Sequence, residues 1–104
     1  MRIKQLTEFS DKEKEDFTIN LSKKFEYNKT PYRIEVISSK SPINQEKIIS
    51  IHSQVSVWKE DVESNRLVHH EIYETSLVPH QANEAIETVT TYPERYIKID
   101  TSIN

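Results

Sequence analysis

Along this chain of 104 residues the apolar positions keep a two-residue period in more places than a helical one. Phe17, Ile19, Leu21, Phe25 and Tyr27 all fall on odd numbers, with Lys23 out of place, which is the alternation of a strand. The region also carries helix signals: Ser10-Asp11-Lys12-Glu13 fits a capping box, and Phe17, Leu21 and Phe25 recur every four residues. Ile19 decides between them, because on a helix it would lie about 160 to 200° from both Phe17 and Leu21, with nothing else to bury it. The pattern therefore predicts a strand over 17–27. Asn28-Lys29-Thr30-Pro31 reads as a turn, since Pro fixes its own φ and Asn tolerates the left-handed region.

Tyr32, Ile34 and Val36 alternate with Arg33 and Glu35, the signature of a half-buried strand, and Ser38 to Gln45, with Pro42 and Asn44, reads as a loop. From Lys47 the alternation is at its strongest. Ile49, Ile51, Val55 and Val57 are expected on one face, and Ser50, His52, Gln54 and Ser56 on the other. Asp61 to Asn65 gives a five-residue hairpin connection, and Arg66 to Val78 a further antiparallel strand ended by Pro79. Ala82, Ala85, Ile86 and Val89 stand at i, i+3, i+4 and i+7, predicting a helix over 81–91 limited by Pro93, with Tyr96 to Asp100 as a last short strand. The sum is a single α+β domain: an antiparallel β-meander of three to four strands with one packed α-helix near the C-terminus.

Composition agrees with the strand count. Val, Ile and Thr together number 28, against 2 Ala, 4 Leu and 1 Met. Glycine is absent, which removes the dinucleotide fingerprint, the P-loop and the nucleophile elbow, because each places backbone where a Cβ would collide. The absence of cysteine excludes disulfides, thiolate metal sites and thiol nucleophiles. Met1 to Leu6 lacks the apolar stretch of a secretory signal and no window reaches a membrane span, so a cytoplasmic protein is expected. The abundance of Ile, Lys and Asn resembles the codon bias of an AT-rich genome, such as a low-GC bacterium or one of its phages.

Net charge is -3, but unevenly placed. Residues 1–50 carry 10 basic and 8 acidic side chains, whereas 51–104 carry 4 and 9. The acidic run of Glu60, Asp61, Glu63, Glu71, Glu74, Glu84, Glu87 and Glu94 would repel nucleic acid, and no compact basic patch stands out in the sequence to neutralise phosphate. That face either engages a basic protein partner or simply keeps the molecule soluble. Trp58, on the polar side of the strongest strand, is either an anchor for that partner or covered by the helix or the N-terminal segment, whereas Phe9 reads as a core plug. The expected partner-binding set is Trp58, Glu60, Asp61, Glu63, Glu71 and Glu74.

The four His residues are the only seeds for catalysis or metal binding, and three of them, His69, His70 and His80, lie near Glu71 and Glu74. On a strand His69 and Glu71 share one face and His70 and Glu74 the other, so no row offers three ligands. Neither a cofactor, a metal nor a catalytic residue is assigned. Val68-His69-His70-Glu71-Ile72-Tyr73-Glu74, with His80 beyond it, resembles the strand and following His of small ferredoxin-like monooxygenases of the antibiotic-biosynthesis type, which would imply cofactor-free oxygenation. Ser41 to Gln45 is too short for the long helix of that fold. Ala82-Asn83-Glu84-Ala85-Ile86, Thr91-Tyr92-Pro93 and Tyr96-Ile97-Lys98-Ile99, after a strand meander, are similar in order to the export chaperone SecB. That resemblance would imply an oligomeric holdase gripping unfolded chains, although the family's long crossover and second helix are missing. The leading expectation is a small non-enzymatic protein-binding domain, with a homodimer by strand addition as a further expectation. A SecB-like holdase and a small His- or metal-dependent enzyme are its alternatives.

Overall fold

The computed structural model describes residues 2–46 and 48–98, the side chains at 44, 45, 48 and 49 excepted. Four strands, β1 (Phe17–Tyr27), β2 (Thr30–Gln45), β3 (Ile48–Glu60) and β4 (Asn65–Tyr73), form one antiparallel sheet in the order β1-β2-β3-β4. A one-turn helix, α1 (Asp11–Lys14), precedes the sheet and a longer one, α2 (Pro79–Thr91), follows it. The architecture is the expected α+β meander with one packed helix near the C-terminus.

Both signals in the ambiguous first segment are real, one after the other. Ser10 caps α1 reciprocally: the Glu13 N–H donates to Ser10 Oγ at 3.2 Å, and the Ser10 N–H to Glu13 Oε1 at 2.9 Å. The chain then enters β1 at Phe17, the position the alternation predicts. Asn28 and Lys29 make the β1–β2 turn with φ of 52° and 61°, the paired left-handed residues that a two-residue hairpin demands.

The helix α2 packs on one sheet face. Ala82 and Val89 seat against Ile19, Tyr32, Ile34, Val36, Val55 and Val57. Ala82 has no exposed surface, its small side chain allowing the helix to approach in a chain without glycine. Pro79 stands at the first helical position, where its missing N–H costs nothing, so the helix starts two residues before the expected 81.

The opposite face is covered by the N-terminal segment, so the polar side of the central strands is buried rather than solvated. Lys4 O accepts from Gln54 Nε2 at 2.8 Å, and the Leu6 N–H donates to Glu35 Oε1 at 2.9 Å. Glu35 is 1% exposed, and its Oε2 lies 3.2 Å from Arg33 Nε. The Arg33 guanidinium also donates to Gln5 and, at 3.2 Å, to Glu60. Burial pushes the Glu35 carboxyl above its usual range, with the Leu6 amide and the Arg33 charge opposing that rise.

Several expectations change in the structure. Ser38 to Gln45 is not a loop but the continuation of β2. Its register against β3 shifts between Ser38 and Ile43, and Asp16 pins the irregular part, accepting from the Ser41 N–H at 2.9 Å and from Ser39 Oγ at 3.1 Å. Ile51 consequently leaves the Val55 and Val57 face and joins a second core with Phe9, Ile37 and Ile43. The strand proposed for 66–78 ends at Tyr73, because Thr75 to Leu77 bond to buried serines instead of a strand. Phe9 is a core plug, packed edge-on to Phe17 with centroids 5.2 Å apart. Tyr96 to Lys98 is not a strand, and the remainder of that proposed element, Ile99 and Asp100, lies outside the described residues. Among the described residues no helix is long and apolar enough to cross a membrane.

Candidate functional site

The connection from β4 into α2 is held by a buried hydroxyl clamp. Ser38 Oγ and Ser53 Oγ are 2.9 Å apart, Ser53 Oγ donates to Thr75 O at 2.7 Å, and the Leu77 N–H reaches Ser38 Oγ at 2.9 Å. Ser76 Oγ donates to Ser39 O at 2.6 Å. These bonds tie the segment that enters α2 to β2 and β3, and between helix and sheet lies a groove of about 320 Å³.

The groove has an apolar floor and acidic, aromatic walls. Val55 and Val89 lie at its base, Glu71 and Tyr73 come from β4, Glu84 from α2, and Tyr96 closes one end. Among the described residues no Lys or Arg lines it. Tyr73 Oη donates to Glu71 Oε1 at 3.3 Å, and His69 Nε2 lies 3.4 Å from Glu71 Oε2. His80 Nε2 stands 3.8 Å from Glu84 Oε2 across one helical turn. Burial, followed by the neighbouring Glu71 charge, raises the Tyr73 phenol above its ordinary range, so it stays a neutral donor oriented on that carboxylate.

Beyond Tyr96 a second hollow of about 420 Å³ opens between β4 and the segment after α2. Its lining includes Arg66, His69, Arg95, Tyr96 and Lys98, and no carboxylate among the described residues. The sequence offered no compact basic patch, yet three of the four Lys and Arg residues of the acidic half meet here. The His69 ring stands edge-on to Tyr96 with centroids 5.1 Å apart, on the border between the two hollows.

The six expected partner-binding residues are not gathered into one patch. Trp58 is 5% exposed, lies on the strand face that the N-terminal segment covers, and donates Nε1–H to Ser56 Oγ at 3.0 Å, so its surface is not offered to a partner. Glu60 bonds Arg33 and lies 4.0 Å from Lys24, leaving Asp61 and Glu63 exposed in the β3–β4 connection. Glu71 sits six residues farther along β4 than Asn65, about 20 Å away at the usual strand rise, with Glu74 just past the strand end. Of the six, only Glu71 lines the groove. Sequence reasoning missed Tyr73, Glu84 and Tyr96 as its companions. The sole hint was the place of Glu84 in the acidic run.

His69 and His70 point to opposite sides of β4: His69 pairs with Val57 and His70 with Ser56 in the ladder. Among the described residues no three His, Asp or Glu side chains come together as a metal site. Comparison with protein-family models, with curated proteins and with solved structures gives no match for this chain.

Proposed function

We propose that the chain is a non-enzymatic binding domain that docks a basic side chain of a protein partner in the groove between α2 and β4. The observation that carries this reading is the groove's composition: among the described residues, two carboxylates and two tyrosines over an apolar floor, with no Lys or Arg. An Arg or Lys side chain matches that pattern, its alkyl stem on Val55 and Val89, its head between Glu71 and Glu84 and beside the tyrosine rings. Glu71 is already oriented by Tyr73 and His69, so little ordering is required when the partner arrives.

Calorimetric titration with a short arginine-rich peptide and its acid-rich counterpart tests the reading. The basic peptide binds and the acidic one does not, and Glu71→Gln or Glu84→Gln each weakens binding by about tenfold, the scale of one charge-assisted hydrogen bond. Equal binding by both variants and the parent chain would remove the groove as the docking site.

A strand-addition homodimer finds less support. In β4 the pairing slips between Val57 and Trp58, with Val68 the extra residue, and such a bulge disturbs the alternation a second β4 would have to match. The other edge, β1, is regular from Ile19 onward but presents Lys23 and Lys24 side by side.

A further inference from the structure

We infer that the hollow between β4 and the segment after α2 is an anion site that takes the phosphate group of a small phosphate monoester. The inference stands apart from the acidic groove and does not require it. Arg66 comes from β4, Arg95 from the 3-10 turn Pro93–Arg95 after α2, and Lys98 from the segment that follows. Among the described residues none of the three forms an ion pair, and no carboxylate lines the hollow. Three like charges around one space repel each other, and the molecule as a whole is acidic, so their convergence is a cost that a bound anion relieves.

The form of the cations selects the anion. The Arg95 guanidinium lies over the Tyr92 ring, 4.3 Å from its centroid, a contact that restrains the side chain beside the hollow. Two guanidinium forks and an ammonium match the oxygens of a phosphate dianion, whereas a single carboxylate satisfies one fork and leaves the others unmet. The hollow, at about 420 Å³, is larger than a phosphate needs, and the Tyr96 ring on its wall provides a flat surface for the organic part of the ester. Side chains here do what glycine-rich backbone does elsewhere, so a chain without glycine can still hold phosphate.

The test is calorimetry together with NMR of the Tyr96 and His69 ring signals, using inorganic phosphate, adenosine monophosphate and acetate as probes up to about 10 mM. Phosphate and the nucleotide are expected to bind and to move both rings, and acetate is not. Tighter binding of the nucleotide shows that the ester is read, whereas equal binding identifies free phosphate as the ligand of the same site. Arg66→Gln and Arg95→Gln should each weaken binding by about tenfold. Both positions are exposed, so the fold is not at stake, and Lys12→Gln on α1 serves as the control for general charge. No ring shift at the highest concentration, acetate binding as well as phosphate, or an equal loss in Lys12→Gln would overturn the assignment.

Discussion

Replacing Arg33 by Met keeps the length of the side chain and removes the charge that faces Glu35. Glu35 is 1% exposed and the Arg33 side chain 13%, so the carboxylate would lose its cation where little water can replace it. Removing one partner of a buried pair costs about 3–5 kcal/mol. The remaining Leu6 amide and the ability of Glu35 to take up a proton place the expected loss near the lower end, about 3 kcal/mol at pH 8. The folded-state Glu35 carboxyl already lies above its ordinary value. It therefore holds a proton in the folded chain at pH values where the unfolded chain has released it. Its contribution to stability is full below the unfolded value and is lost as the pH rises through the folded one. Without Arg33 the folded value climbs further, so the Arg33→Met chain should lose stability more steeply between about pH 5 and about pH 8 than the parent. Urea unfolding followed by the fluorescence of Trp58, the lone and buried Trp, measures this directly. Adding Glu35→Gln to Arg33→Met should restore part of the loss at the higher pH, because the neutral amide still accepts from Leu6 N–H. A loss below about 0.5 kcal/mol, or one of equal size at both pH values, would refute the account of a buried, cation-dependent carboxylate.

Lys29→Gly should raise stability by about 0.5–1 kcal/mol in thermal or urea unfolding, since relief of a left-handed lysine at φ 61° outweighs the entropy that glycine adds to the unfolded chain. Val89→Ala, with 1% exposure beneath α2, should cost about 1–3 kcal/mol and weaken the acidic groove, whose floor it forms, which parallel unfolding and peptide titrations would show. Asp16 accepts from Ser41 and Ser39, which holds its carboxyl below the usual range. It therefore stabilises the bulged part of β2 above its unfolded value and loses that effect as the pH falls through the folded one, and an Asp16→Ala chain should show a shallower acid-side decline in stability.

Legibility in the sequence followed the range of the interaction. The alternation of Phe17 to Tyr27, the Ser10 capping box, the Asn28-Lys29 turn and the Ala82 to Val89 stripe were readable because each depends on neighbours within a few residues. Serine and glutamine positions in β2 and β3 left the cover of that face undecided between a partner, the helix and the N-terminal segment, because the N-terminal segment and the 75–77 segment bring their partners from far along the chain. The same limit hid the sites. Glu71 was read as part of an acidic run, but its sharing of a groove with Glu84, and the sharing of a hollow by Arg66, Arg95 and Lys98, depend on how α2 and the segment after it return across β4.

By itself the sequence determined an antiparallel meander with a late helix, because side-chain period and turn chemistry are local properties that a chain cannot escape. Only the tertiary structure decided that both sheet faces are covered, that Trp58 is enclosed, and that one edge of the molecule carries an acidic groove beside a basic hollow. Charge in a sequence is a count. Its field depends on distances in space, and those are set by packing.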